Sequence, residues 1–211
     1  MLNLDLVEEM NIHSIDRTLL IEMLKKDIDS NISKQHISIT NTEAMFIGSK
    51  VPEHFKYINE AKFSLCDGVG IKLAAKFNGK NIYRYHGPDV MIDIINSGQE
   101  YGWSHYLLGG GEGVGKQLKN ILELKYPKAK IIEVHSPPFR ELTSQEEKRM
   151  LENINTIEPN FLWVSLGLPK QENWIMKYKE QLNVNFCIGI GAAFDFHTNN
   201  IKRAPYFYQR F

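Results

Sequence analysis

Net charge is the first thing this sequence lacks: 25 Lys and Arg balance 25 Asp and Glu over 211 residues. A nucleic-acid binder usually carries a clear basic excess, so that class of partner is set aside. A local basic patch for anionic lipid needs no net charge and stays open. Cysteine is scarce as well. Cys66 and Cys187 each sit in a short apolar run, and two isolated cysteines make neither a disulfide framework nor a zinc site, so both read as small core residues. No apolar run approaches the length that spans a bilayer. The first ten residues contain Asp5, Glu8 and Glu9 and lack the basic-then-apolar order of a secretory signal. The expectation is a reduced, cytoplasmic protein. There is no internal repeat, low-complexity tract or long linker. What is there, 43% hydrophobic and 24% charged residues, suits one globular domain over residues 1–211 with a proper core.

Segments of helical and strand character alternate along the chain. Leu19, Leu20, Met23, Leu24 and Ile28 give Asp16 to Ile28 the spacing of an amphipathic helix. His36 to Thr40 and Phe63 to Cys66 are short strand candidates. Thr42 to Asn59 reads as helix broken at Pro52, Val69 to Phe77 as helix, and Pro88 opens a helix to about Ser97. From His105 the rhythm is regular. Strands are expected at 105–108, 130–134, 161–165 and 184–190. Helices are expected from Gly115 to Lys125, from Ser144 to Ile154 with Thr143 or Ser144 as cap, and from Pro169 to Leu182. This order predicts an α/β fold: a Rossmann-like, mostly parallel sheet with helices on both faces. Such sheets bind ligands at the carboxyl ends of their strands, where Asp67, Gly109 to Gly115, Gly167 to Gln171 and Gly189 to Asp195 all fall.

Several motifs in those positions carry chemistry. Gly109, Gly110, Gly111, Gly113 and Gly115 precede a helix, and a glycine-rich turn into a helix N-terminus can hold a phosphate. The dinucleotide pattern fails because its last position is Val114. The phosphate loop of ATPases nearly fits, from Gly110 to Gly115-Lys116, but Gln117 replaces the magnesium-binding hydroxyl. Asp67, at a strand end before Gly68, can serve as a general base or simply cap the next helix. Arg84, between Tyr83 and Tyr85, can neutralise a leaving diphosphate or lie on the surface against tyrosine. Lys170 and Gln171 occupy the first turn of a helix and can reach a ligand. Solvated charge accounts for Glu172 more readily than for Gln171. Lys202 and Arg203 can hold phosphate or anionic lipid, or be an ordinary solvated pair. Asp27-Ile28-Asp29 spells the Asp-x-Asp of metal-dependent sugar transfer, but it ends an amphipathic helix far from the other motifs, and no metal site is assigned.

The ordered set resembles the WecG/TagA/CpsF family, glycosyltransferase family 26. The resemblance rests on Asn41-Thr42-Glu43, Cys66-Asp67-Gly68-Val69-Gly70, Arg84 with Gly87 and Asp89, and Leu108-Gly109-Gly110 through Val114. It continues through Tyr126-Pro127, Pro137-Pro138-Phe139, Leu166 to Glu172, and Gly189 to Pro205. It implies an inverting, metal-independent hexosyltransferase without a cofactor. The enzyme would move an N-acetylmannosamine-type or related sugar from a UDP-sugar to an undecaprenyl-diphosphate-linked acceptor, in cell-surface polysaccharide synthesis. Asp67, Arg84 and Gln171 take the catalytic positions in this resemblance. Asn41, Thr40, Gly109, Gly110, Gly111, Lys170, Gly191, Asp195 and Arg203 take substrate-binding ones. Ile39 stands where the family usually has Thr, with Thr40 beside it, and Asn199 stands at a family glycine, tolerable because Asn also visits left-handed backbone. The chain ends six residues after Pro205. Family members continue into a segment that closes over the site and helps dock at the membrane, so a truncated or short member completed by a partner or by homo-oligomerisation is expected. Its place would be peripheral, at the inner face of the cell membrane, an expectation that follows from the acceptor class and from no anchor read in the chain. Two rival readings remain: a magnesium-dependent nucleotide hydrolase or kinase built on Gly110 to Lys116, and a non-catalytic UDP-sugar-binding subunit.

Overall fold

The computed structural model describes residues 9–202. Six strands form one sheet in the order β2-β1-β6-β5-β3-β4, and every neighbouring pair is parallel. The strands are β1 (Gln35–Thr40), β2 (Phe63–Cys66), β3 (Ser104–Gly109), β4 (Lys130–His135), β5 (Phe161–Ser165) and β6 (Phe186–Gly189). The helices are α1 (Arg17–Asp29), α2 (Thr42–Gly48), α3 (Pro52–Asn59), α4 (Val69–Phe77), α5 (Gly87–Tyr101), α6 (Val114–Lys125), α7 (Ser144–Ile157), α8 (Lys170–Tyr178) and α9 (Ala193–His197). The expected α/β sheet with helices on both faces is therefore present, and it is wholly parallel.

Local chemistry explains most boundaries. Asp16 caps α1 by accepting from the Leu19 N–H, and Thr143 and Glu146 form a reciprocal capping box at the start of α7. Pro52 divides the expected long helix into α2 and α3, because a proline at a first turn costs no hydrogen bond. Several expectations shift. Helix α5 continues to Tyr101 and stops at left-handed Gly102; α8 ends at Tyr178 and passes into a 3-10 turn, 179–181; and β6 begins at Phe186 rather than Val184. Helix α9 was not foreseen, because five residues are too few for a periodic signal.

Alternation along the strands divides the core in two. Phe161, Trp163, Phe186, Ile188 and Leu107 face α1, α5, α6 and α9, and Phe161 stacks on Phe186 at 5.7 Å between ring centres. Leu162, Val164, Cys187, Tyr106 and Leu108 face α2, α3, α4, α7 and α8. Both cysteines are free and buried, and burial pushes their thiols up to about 11 for Cys66 and about 12 for Cys187, so they serve as core atoms. The helix after β5 leaves on one face, while those after β3 and β6 leave on the other. That divergence opens a crevice at the carboxyl ends of these three strands.

Candidate active site

The crevice is a cleft of about 640 Å³. Its floor comes from the strand ends: Gly110 and Gly111 after β3, Ser165 to Gly167 after β5, and Gly191 with Ala192 after β6. Lys170 and Trp174 of α8 and Asp195 of α9 form its sides, and the segment 137–142 covers it from the β4 side. The turn after β3 is built on close approach. Gly109 has φ +106°, and a Cβ there would lie 2.2 Å from the Ser165 carbonyl oxygen. Only glycine fits, and the same carbonyl accepts the Gly110 N–H at 2.9 Å. Gly110 is itself left-handed, and a Cβ on it would press on Phe194 of α9. The two glycines thus carry the chain from β3 to the cleft floor just ahead of the α6 N-terminus, the end of a helix that favours an anion. Lys116 does not line the cleft, which removes the cation a phosphate-loop reading needs.

Gln171 and Glu172 turn inward rather than toward the cleft. Both are buried, the Gln171 amide oxygen accepts the Gly191 N–H at 2.9 Å, and its NH2 donates to the Glu172 carboxylate at 2.8 Å. Gly191, left-handed at φ +56°, also accepts the Ser165 hydroxyl at 2.7 Å through its carbonyl. Gln171 therefore acts through the backbone: it ties the turn after β6 to α8 and fixes one wall of the cleft. Glu172 is not the solvated charge expected of it. Burial, with a smaller contribution from Glu43, pushes its carboxyl up to about 7.

A second group of side chains lies two strands away from β6, at the end of edge strand β2. The Asp67 N–H donates to the Thr40 carbonyl at 2.8 Å, which anchors Asp67 at the end of the ladder. The segment after α4 returns beside it: Arg84 forms a parallel bridge with Cys66, and its Nε donates to the Asp67 carbonyl at 3.2 Å. His86 Nδ1 stands 3.6 Å from Asp67 Oδ1, an ion-pair separation when the imidazole is protonated. The N-cap of α4 is Gly68, with no side-chain cap bond, so Asp67 is not the capping residue. Gly87, the first residue of α5, connects this group to the cleft: a Cβ on it would lie 3.6 Å from Asp67 Oδ2 and 3.8 Å from Ile190, the residue before Gly191. With strands about 4.8 Å apart, Asp67 and the Gly191 turn are separated by about 10 Å.

The sequence-derived residues divide accordingly. Gly110, Gly111, Lys170, Gly191 and Asp195 line the cleft, and Asp67 with Arg84 forms the second group. Gly109 supports the turn from below. Asn41 sits beside Asp67's anchor strand but spends its side-chain oxygen capping α2 through the Ala44 N–H at 2.8 Å. Thr40 must be corrected. It is fully buried, pointing to the α2–α4 face, with its hydroxyl between those of Ser38 at 2.8 Å and Ser64 at 2.9 Å. Strand alternation puts it on the same face as His36 and Ser38, with its hydroxyl committed inside the core. Arg203 lies outside the described residues. Two features were missed as site residues: His86, a lone histidine with no spacing signal, and the 137–142 cover, which has no periodicity. Asn199 does adopt the left-handed backbone expected of it, at φ +60°. Asp27 pairs with Lys62 at 3.1 Å on α1, as befits a helix-end carboxylate. Among the described residues no three His, Cys, Asp or Glu side chains gather where a metal ion could be held.

A sequence model described as the glycosyl transferase WecG/TagA/CpsF family matches residues 6–211. Among curated proteins, the chain is similar to the N-acetylglucosaminyldiphosphoundecaprenol N-acetyl-beta-D-mannosaminyltransferases of Staphylococcus aureus strains MRSA252 and NCTC 8325 / PS 47. In each case 24% of 200 aligned residues are identical, covering 92% of this chain and 77% of the relative.

Proposed function

The chain belongs to the WecG/TagA/CpsF family of glycosyl transferases, and on that premise we propose that it is a hexosyltransferase of cell-surface polysaccharide synthesis. It moves an N-acetylmannosamine-type sugar from a UDP-sugar to an N-acetylglucosaminyl-diphosphate-polyprenol acceptor with inversion. The acceptor and sugar class come from what the relatives are named for. The observation that carries the reading is the pairing of two sites. A glycine-floored cleft next to a helix N-terminus suits a diphosphate, and a carboxylate stands about 10 Å beyond the Gly191 edge of that cleft, across the strand ends.

In this reading UDP lies along the cleft floor from Gly110 and Gly111 to the Gly191 turn, and the sugar extends from the Gly191 end toward β1 and β2. Asp67 takes the proton from the acceptor hydroxyl as that oxygen attacks the anomeric carbon, and the bond to UDP breaks on the opposite side. One displacement of this kind inverts the centre. Arg84 and the α6 N-terminus supply fixed positive potential for the negative charge that develops, and on this proposal no metal is needed. Gln171 is a positioning residue, since its amide is committed to Gly191 and Glu172. Asp195 in the cleft suits sugar hydroxyls better than phosphate. The test is transfer from UDP-N-acetylmannosamine to a polyprenyl-diphosphate-linked N-acetylglucosamine. Asp67→Asn should lower turnover by a factor on the order of 10³ with UDP affinity unchanged; equal turnover in this variant would remove Asp67 from the role.

A further inference from the structure

Between Asp67 and Asp89 the chain has no acidic residue, and its four cations recur every fourth position: Lys72, Lys76, Lys80 and Arg84. The first two lie on α4, one turn apart. The apolar residues among them are not all inside. Leu73 is 50% exposed, Phe77 82% and Tyr83 47%. Leu73 and Phe77 are also one turn apart, so the outer side of α4 presents an apolar pair flanked by lysines. Neighbouring α2 adds Phe46, 59% exposed, with the Lys50 ammonium 4.2 Å above its ring; Glu43 is the acidic residue on the same helix. The inner side of α4, through Ile71, Ala74 and Ala75, packs against the core, so this helix is fixed with that face outward.

We infer that the outer face of α4 and the 76–84 segment seat the protein on an anionic phospholipid surface. Exposed Leu and Phe beside lysines, with a tyrosine at the rim, form a surface that enters the headgroup boundary while its cations meet lipid phosphates. A second copy of this chain is a poorer occupant, because a two-fold contact sets Lys72, Lys76 and Lys80 against themselves with no acid in the stretch to answer them. The location gives the surface its use. Helix α4 starts directly after Asp67-Gly68 on the edge strand, and Phe77 lies about 12 Å farther along the helix. Seating this face on a bilayer holds Asp67 near the headgroup level, where the diphosphate and first sugar of a polyprenyl-linked acceptor reside. This consequence rests on the proposed function; the surface itself does not.

The experiment is co-sedimentation of the full chain with vesicles of phosphatidylcholine alone and of phosphatidylcholine with phosphatidylglycerol, alongside UDP calorimetry. The wild type should sediment with the anionic vesicles only, and less so in high salt. Each surface lysine is worth about a fivefold change in partitioning, so Lys76→Gln with Phe77→Ser and Lys80→Gln should lower it at least about tenfold while UDP affinity is unchanged. These three positions are exposed, and an unaltered thermal midpoint verifies folding. Equal sedimentation of variant and wild type overturns the inference, as does a wild-type dimer in solution that the variant dissolves. Loss of vesicle binding in the variant upholds the surface even if the wild type fails to bind UDP, which would count against the transferase reading alone.

Discussion

Glu172 is a carboxylate whose neighbourhood sets its charge. It is 5% exposed; its Oε1 accepts from Gln171, and its Oε2 is buried without a hydrogen-bond partner. Burial raises its pKa from the ordinary 4.5 to about 7. Between those values the folded chain keeps a proton that the unfolded chain has lost. Stability therefore falls as pH rises through this window and levels off above it. Glu172→Gln keeps the acceptor for Gln171 and removes the charge. It should stabilise the protein at pH 8 by up to about 3 kcal/mol and leave it nearly unchanged at pH 4, as read from urea midpoints at the two pH values. Two histidines act in the opposite sense. Burial lowers His36 to about 4 and His105 to about 3, so the unfolded chain binds their protons first and acid below pH 6.5 destabilises the fold. The Glu172 effect is therefore to be taken as a difference between variant and wild type. At this scale the sequence was legible for Asp67, whose strand-end position followed from local pattern, whereas Arg84 is brought beside it by its bridge to Cys66. It was not legible for Glu172 or Gln171, because first-turn residues of a helix are ordinarily solvated and only the contact with the β6 turn buries them.

At the scale of the element, the glycine stretch shows how one run serves different purposes. Gly109 is locked by backbone, with its missing Cβ 2.2 Å from the Ser165 carbonyl oxygen at φ +106°. Gly113, at φ +78°, opens onto free space. Gly109→Ala must move β3 from β5 and should cost more than about 4 kcal/mol, enough to prevent stable folding. Gly113→Ala carries only the left-handed penalty, about 1 kcal/mol. Thermal unfolding of the two variants measures this contrast, and similar midpoints would mean that the turn relaxes in a way its tight packing does not suggest. The strand–turn–helix order around these glycines was readable from sequence, since glycine clusters before apolar periodicity mark such turns. Which glycine is confined by a neighbouring strand was not, because the neighbour, β5, lies more than fifty residues away in the chain.

For the molecule as a whole, the arrangement separates the transferase reading from the nucleotide-hydrolase rival. The cleft is lined by Gly110 and Gly111 but not by Lys116, the lysine of the ATP-binding pattern; the lysine that lines it is Lys170 of α8. Calorimetric titration should give UDP binding that is indifferent to magnesium and no comparable response to ATP. Magnesium-dependent ATP binding without a response to UDP would reverse that order and return the glycine turn to the hydrolase class. No helix among the described residues is long and apolar enough to cross a membrane.

Sequence by itself determined the alternating order of strands and helices, a cap at Thr143 or Ser144, the break at Pro52, and the placement of Asp67 and the glycines at strand ends. These follow from turn chemistry and periodicity, which act within a few residues. The tertiary structure alone decided that β1 lies beside β6, which brings the Gly191 turn within reach of Asp67 through Gly87 and Ile190. It also decided that Gln171 faces inward and that His86 approaches Asp67. Thr40, expected at the substrate, is also decided by the tertiary structure: it is buried with its hydroxyl between those of Ser38 and Ser64. The physical reason for the division is that strand order is set by which helices must cover both faces of the sheet, a requirement on buried area that no local window of sequence contains.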